Sequence, residues 1–450
     1  MLHALVSPSP VNNRNMKTKR ILLLSGNYFP EPTGIGKYNG EMMDWLAGQG
    51  HECAVVTTYP YYPFWKVQPP YENRSSWYRK ENRQTGDHPP IKVYRCPHYI
   101  PKKLTGMKRI FSDLSFFISA FFQVFILLFR RKYDHVITVA PPFQLGLLGL
   151  LYKWMKGAKF TYHIQDLQID TAKELGMLKP GLLTRLMFSV ECFILKRSDN
   201  NSSISDGMIR KIKSKCDKSV LFFPNWVDTT AFYPLTDSNT LRKKFGLSPM
   251  DKVVLYSGAI GEKQGLETII PTARNLQHLP IKFVICGSGP YRAKLEDLVQ
   301  KFGLRNVQFV ALQPRETFNE FLNMADLHLV IQKANATDLV MPSKLTTILA
   351  VGGVAIVTAA KNTSLHDIVS KHNMGIVIEP DNQEALTHAI ANASKEGNEW
   401  ISANARDYAE NFLTMDKVVS KFFQEILYGR KPVAVVANPA MKVETAVSSR

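Results

Sequence analysis

The sequence predicts an α/β chain of two doubly wound domains, and three observations carry that expectation. At 450 residues the chain exceeds one ordinary hydrophobic core. Short β-branched or aliphatic runs alternate with amphipathic helical stretches, an order that calls for parallel sheets covered by helices on both faces. The alternation runs twice, broken by PNWVDTTAFYPLTDSNTLRKKFG, a Pro- and Asn-rich polar segment that reads as a linker. A content of 45% hydrophobic and 21% charged residues is globular rather than disordered.

In the first half the strand candidates are RILLLSG, ECAVVTT, IKVYRC, HVITVA, FTYHIQ, NNSSIS and VLFFPN. In the second half they are KVVLYSG, KFVICGSG, VQFVAL, LHLVIQ, VAIVTA and GIVIEP. Helices such as KYNGEMMDWLAGQG and GLETIIPTARNLQ lie between them. The expected division is a first domain over 19–231, a second over 232–409, and a C-terminal helix over 410–429 packing back on the first. Residues 1–18 and 430–450 read as loose tails.

The formal charge of +18 is unevenly placed. Between Pro60 and Lys132, fourteen Lys/Arg stand against four Asp/Glu. Such a patch attracts nucleic acid, anionic lipid or phosphorylated ligands. The five cysteines form no CxxC pair, which fits reduced thiols in a cytosol and argues against a disulfide framework or a zinc site. The leader lacks the apolar stretch of a signal peptide. LSFFISAFFQVFILLF, Leu114 to Phe129, is interrupted by Gln123 and flanked by Lys102, Lys103, Lys108, Arg109, Arg130, Arg131 and Lys132. It is short of the roughly 20 apolar residues of a span. Three readings stay open: a core helix, a helix lying in the membrane surface with its basic flanks on anionic headgroups, and a spanning helix.

The chemistry begins at TGIGKY, between a strand and a helix. Gly34, Gly36 and Gly40 are spaced one residue too widely for GxGxxG, and the second strand ends in Thr without an acid for a ribose. Tyr38 stands where a P-loop needs Ser or Thr. What remains is a Gly-rich turn that either serves the backbone alone or brings amides to a diphosphate or sugar. In the second half, YSGAIGEKQG places Gly258 at a strand end with Lys263 a few residues on. ICGSGP repeats the arrangement with Gly287 and Gly289. MPSKLTTILAVGG offers Ser343 as a helix N-cap and Lys344 in the first turn, where a lysine opposes the helix dipole unless an anion is expected. Together these features suggest a nucleotide diphosphate held by the second half.

The ordered series TGIGKY, YHIQDLQID, FPNWVD, YSGAIGEKQG, ICGSGP and MPSKLTTILAVGG resembles the retaining GT-B glycosyltransferases of family 4. The likeness is strongest to a branch of colanic-acid-type exopolysaccharide synthesis associated with fucosyl transfer, and runs from about Lys19 to Gly429. The resemblance implies two Rossmann-like domains facing across a cleft, acceptor on the first and a nucleotide-diphosphate sugar, GDP-fucose or another hexose donor, on the second. It implies that Gly34 and Gly36 lie beside donor phosphates and acceptor, that Lys263 meets the diphosphate, and that Asp166 falls near an acceptor-side His-Asp pair. The acceptor-side candidates are His163, Gln165 and Asn225.

The chain departs from the family pattern in places. Many relatives carry two glutamates eight positions apart; here the second falls on Thr347 and the first near Leu339, with Asp338 adjacent as the candidate for sugar hydroxyls. The usual Arg after Gly258 is Ala259, so Lys344 is expected to supply the second positive charge. The His of the pair reads Gln165. Retention, as the family implies, asks the protein mainly to stabilise the leaving diphosphate and exclude water. With no clustered Asp/His set, neither a catalytic metal nor a cofactor is expected. The basic patch and the Phe-rich helix suit a polyprenyl-diphosphate-linked glycan acceptor and membrane-surface lipids, with the protein cytoplasmic and peripheral on the inner membrane. A nucleotide-sugar epimerase or dehydrogenase would need the missing fingerprint. A non-catalytic nucleic-acid or membrane-binding module would leave the paired glycine turns unexplained, and no nucleic-acid partner is expected.

Overall fold

The computed structural model describes residues 17–102, 105–174, 178, 181–334, 342–395 and 397–429; the tails beyond residues 17 and 429 lie outside the described residues. The first sheet comprises β1 (Arg20–Ser25), β2 (Glu52–Thr58), β3 (Arg79–Arg83), β4 (Ile91–Cys96), β5 (His135–Ala140), β6 (Lys159–Ile164), β7 (Asn200–Ser203) and β8 (Val220–Phe222). Their order is β3-β4-β2-β1-β5-β6-β7-β8. Every pairing is parallel except that of β3, which runs antiparallel to β4 from Arg79↔Arg95 to Arg83↔Ile91. The second sheet comprises β9 (Lys252–Ser257), β10 (Ile281–Cys286), β11 (Val307–Val310), β12 (Leu327–Val330), β13 (Val354–Thr358) and β14 (Ile376–Ile378). It is wholly parallel, ordered β11-β10-β9-β12-β13-β14.

Most of the parallel strands coincide with aliphatic runs because both faces of a parallel sheet are covered, so most side chains must be apolar; β7, with Asn201, Ser202 and Ser203 buried, is the polar exception. Alternate residues of β1 serve opposite cores. Ile21 and Leu23 pack with Tyr38, Met42, Phe422 and Phe423 of the helices Gly34–Gly48 and Met415–Tyr428. Leu22 and Leu24 pack with Phe116, Ala120, Leu148 and Ile194 of the helices Gly106–Leu128, Leu145–Lys156 and Leu182–Arg197. β3 has no counterpart among the sequence-derived strands. Its residues RKENR are polar, and an edge strand needs only one neighbour; Glu81 holds it by accepting from Arg95 Nε at 2.7 Å.

The chain passes between the sheets twice, and the two passages lie side by side: Val227 N–H donates to Leu413 O at 2.8 Å. Two further contacts join the halves. Arg315 Nη2 lies 3.7 Å from Glu41 Oε1, and the Gly207 amide donates to Ser364 Oγ.

The helix Gly106–Leu128 is long and apolar enough to cross a membrane by length and composition. It lies against the first sheet instead, burying Ser112, Phe116, Ser119, Ala120, Gln123, Val124 and Leu127. Ser112, Ser119 and Gln123 therefore point inward, and Leu114, Ile118, Phe121, Phe122, Phe125, Ile126 and Phe129 face outward, exposed. Trp154 and Met155 of the next helix and Leu182, Leu183, Leu186 and Phe193 of the third are exposed as well. Trp154 and Phe193 meet edge to face at 6.1 Å, so the apolar surface spans neighbouring helices.

Candidate active site

In doubly wound sheets a ligand sits at the carboxyl ends of the strands where the strand order reverses. In the first sheet that point lies between β1 and β5, and in the second between β9 and β12. The glycine turn follows β1, and Gly258 follows β9. Lys344 begins the first described helix after β12, and its side chain returns to the end of β9.

There the Lys344 ammonium lies 3.6 Å from the centroid of the Tyr256 ring. A Cβ at Gly258, whose φ is +150°, would stand 3.0 Å from Lys344 Nζ. Glycine at 258 thus makes room for the cation. Nζ is buried and has no hydrogen-bond partner among the described residues. Burial pushes its pKa down to about 7. A lysine buried against a π face, with no anion beside it among the described residues, is suited to receive one. Gln332, just past β12, adds a second orphan that no motif in the sequence marks: its amide Nε2 is buried and has no partner among the described residues.

Gly287 and Gly289 have a different cause from the expected backbone freedom for a ligand. The loop after β9 continues its pairing with the loop after β10: Gly258 N–H donates to Cys286 O and Ile260 N–H to Ser288 O, both at 2.9 Å. A Cβ at Gly287 (φ +152°) would stand 1.9 Å from Gly258 O, and one at Gly289 (φ +156°) 2.1 Å from Ile260 O. These glycines hold the Gly258 loop in place, and only through it the surroundings of Lys344. Gly287→Ala is expected to cost of order 2–5 kcal/mol through overlap and strain, with a lowered Tm and lost nucleotide binding. A variant of wild-type stability would show that the loops are not tied.

Ser343 stands before the helix Lys344–Ala350, but its side chain makes no capping bond, so its expected N-cap role is corrected: its backbone is already helical. Thr347 Oγ1 donates to Lys344 O within that helix. Asp338 and the Lys263 side chain lie outside the described residues. Lys263 itself belongs to the short 3₁₀ turn Glu262–Gln264, followed by a 2.9 Å Lys333–Glu267 ion pair at the end of β12.

On the first sheet, Gly34 opens its helix at φ +61°, beside the Tyr62 ring. Gly36 is small for another reason: a Cβ there would stand 2.5 Å from Glu31 Oε2. The expected acceptor-side residues separate. Asp166 and Gln165 follow β6 at the carboxyl edge, and Thr171 Oγ1 lies 3.3 Å from Asp166 Oδ1. His163 is in the core, its Nδ1 3.0 Å from Ser202 Oγ and its ring packed on Phe223, and burial pushes its pKa down to about 3. It is a neutral core imidazole. Asn225 is buried beside Trp226, whose Nε1 donates to Glu41 Oε2 at 2.9 Å. Asn225 Oδ1 has no partner among the described residues.

The aromatic run Tyr59–Trp65 mostly packs its loop down. Tyr59 donates to Trp77 O, and Tyr61 meets His98 and Trp65 at 4.8 and 5.3 Å; Phe64 is exposed. Beside this loop Gln168 Nε2 donates to Asp113 Oδ2 at 2.6 Å, with the pKa of Asp113 raised by burial. Among the described residues no group of three or more His, Cys, Asp or Glu is placed to hold a metal ion.

This architecture agrees with known proteins. Residues 33–226 match the model described as glycosyl transferase 4-like domain, and 237–411 the one described as glycosyl transferases group 1. The chain is 40% identical over 416 residues to the putative colanic acid biosynthesis glycosyl transferase WcaI of Escherichia coli, covering 90% of this chain and 99% of that one. Its fold is similar to that of sucrose-phosphate synthase from Thermosynechococcus elongatus (TM-score 0.70, 16% identity, 92% of this chain and 100% of the other). HepE of Anabaena, solved with UDP and glucose, is similar at TM-score 0.67 and 12% identity over 91% and 99% of the two chains. Two parallel sheets, two switch points and an end-to-end relative converge: the chain is a GT-B glycosyltransferase and belongs to the group 1, family-4-like glycosyltransferases.

Proposed function

We propose that this enzyme moves a sugar with retention from a nucleotide-diphosphate donor, GDP-fucose or another hexose donor, to a polyprenyl-diphosphate-linked glycan in colanic-acid-type exopolysaccharide synthesis. The observation that carries the donor assignment is the Lys344 ammonium behind Gly258, buried and without a hydrogen-bond partner among the described residues. The relative named for colanic acid supports the pathway class.

In this reading the C1–O bond to the diphosphate breaks while the acceptor oxygen bonds to C1 on the same face. The acceptor proton passes to the departing diphosphate. Lys344 neutralises the negative charge that grows there, Lys263 is the second cation, and no step runs through a metal or cofactor. Asp166 and Gln165 contact acceptor hydroxyls. The outward apolar face of the helix Gly106–Leu128, flanked by Lys108, Arg130, Arg131 and Lys132, docks the protein on the cytoplasmic side of an anionic membrane, where such acceptors are presented.

The test is a thermal-shift panel of GDP, UDP, ADP and their common sugars, then transfer to membrane extract with the donor that binds. Stabilisation by one diphosphate, followed by incorporation of its sugar into lipid, is the expected result. No shift with any nucleotide would remove the donor site. A proton count sharpens it. At pH 8 the free Lys344 is largely neutral, and a bound diphosphate favours its charged form, so binding is expected to take up close to one proton. Calorimetry in buffers of different ionisation enthalpy reads this directly, and zero uptake would separate Lys344 from the diphosphate.

A further inference from the structure

Glu31 lies in the glycine turn, yet it is only 3% exposed. A carboxylate so buried must find donors. Oε1 accepts from the Tyr61 and Tyr62 amides at 3.1 and 3.0 Å, and Oε2 accepts from Asn27 Nδ2 at 2.9 Å. Asn27 follows β1, and Tyr61 and Tyr62 follow β2. The same carboxylate lies against Gly36, so close that no Cβ fits, while the Tyr62 ring lies 3.6 Å from the Cβ position of Gly34. One side chain therefore joins three segments that otherwise share no regular structure: a strand end, the turn and the aromatic loop.

We propose that Glu31 is a positioning residue for the transfer step, a latch that holds the glycine turn in register with the loop Tyr59–Trp65. It rests on the function proposed above and on the turn's place after β1, at the switch point of the first sheet. Glu31 itself meets no substrate; its three donors and Gly36 enclose it.

The latch has a pH sense. An ionised carboxylate only accepts, which suits three N–H donors; a protonated one presents an O–H to one of them. Burial raises the Glu31 pKa to about 7 against the opposing pull of those hydrogen bonds and of Arg95. Arg95 is the charged group acting on Glu31 from β4, and Tyr61 and Tyr62 face it from the loop. Behind the tyrosines, Asp113 and Arg109 act on Tyr61, and Arg109 and Asp166 on Tyr62. The ratio of wild-type activity to that of Glu31→Gln, in which the Lys344 titration is common to both, should therefore rise as pH passes through about 7 and the latch closes. Stability runs the other way. A carboxyl whose folded pKa is raised stabilises the fold fully below its ordinary value of 4.5, and that contribution is lost as pH rises through about 7. A residue that merely supported the fold would move both in step.

Two measurements on the full-length protein test this. Hydrogen exchange of the segment containing Tyr61 and Tyr62, corrected for intrinsic rate, reads the latch without any turnover. Protection is expected to fall between pH 8 and pH 6 in the wild type and to be low at both in Glu31→Gln. Steady-state transfer to the acceptor reads the coupling. Glu31→Gln is expected to lose about 10–100-fold in kcat/KM at pH 8, to lose the acid limb near pH 7, and to bind nucleotide as the wild type does. Glu31→Asp, one methylene shorter, should recover part of the rate with its limb moved to lower pH; it also serves should the Gln variant fold poorly. Pocket and latch fail separately. Equal protection in wild type and Glu31→Gln, or an acid limb shared by all three proteins, overturns the latch. Normal latch behaviour with no transfer from any donor overturns the function proposed above instead.

Discussion

Lys344→Met is expected to lower transfer roughly 10²–10³-fold while leaving the protein at least as stable as the wild type. The two effects have one origin. In the free enzyme the ammonium is buried against Tyr256 with no hydrogen-bond partner among the described residues. An uncompensated buried cation works against folding, and methionine fills a similar volume without charge. A Tm rise of a few degrees is the expected sign. Turnover moves the opposite way, because the leaving diphosphate loses the cation set against its developing charge. Removing one such donor typically costs about 3–4 kcal/mol, or roughly 10²–10³ in kcat. The pH dependence of stability separates this account from a packing account. A lysine whose folded pKa is pushed down to about 7 makes the wild type more stable as pH rises from 7 toward its ordinary 10.5. Lys344→Met should lack that rise. A variant that keeps its turnover, or one that loses both stability and turnover, would make Lys344 a packing residue.

The parts of this enzyme that depend on composition were readable from the sequence, and those that depend on a partner were not. RILLLS and VAIVT carry the unbroken apolar runs ILLL and VAIV because both faces of β1 and β13 are covered, so each run reports its own burial. RKENR carries no such signal: β3 exists because β4 offers an edge and Arg95 holds Glu81. Lys344 was legible because a lysine in the first turn of a helix is locally wrong, and local wrongness points to a ligand. Glu31 was not, since a glutamate between two prolines reads as solvated until the Tyr61 and Tyr62 amides, thirty residues away, close over it. At Gly287 the sequence shows freed backbone at a strand end, and only the fold shows how closely Gly258 O approaches it. His163 shares the difficulty: its position on a strand face was plain, but not that Phe223 and Ser202 would enclose it.

The helix Gly106–Leu128 was the sharpest ambiguity, and its geometry leads to the second large effect. Replacing Phe121, Phe122, Phe125 and Phe129 together by Ser is expected to release the protein from anionic vesicles while preserving turnover on a water-soluble acceptor. These rings lie outward, while Ser112, Ser119 and Gln123 lie inward, the reverse of a helix shaped by water. A face of this kind needs a cover. The anionic membrane surface proposed as that cover suits the charges: Lys108, Arg130, Arg131 and Lys132 flank the rings, and Arg185, Lys196 and Arg197 flank Leu186 and Phe193 on the helix beyond. At about 1 kcal/mol for each ring half-buried in the interface, four rings correspond to about 10³-fold in partitioning. Arg130→Gln, Arg131→Gln and Lys132→Gln together should cost about 1 kcal/mol each on anionic vesicles and nothing on neutral ones, with a loss that shrinks as salt rises. Co-sedimentation with vesicles of both compositions separates the two contributions. If the four-Ser variant instead turns a dimer into a monomer in solution and binds vesicles like the wild type, the cover is a second copy of this chain and the membrane assignment falls.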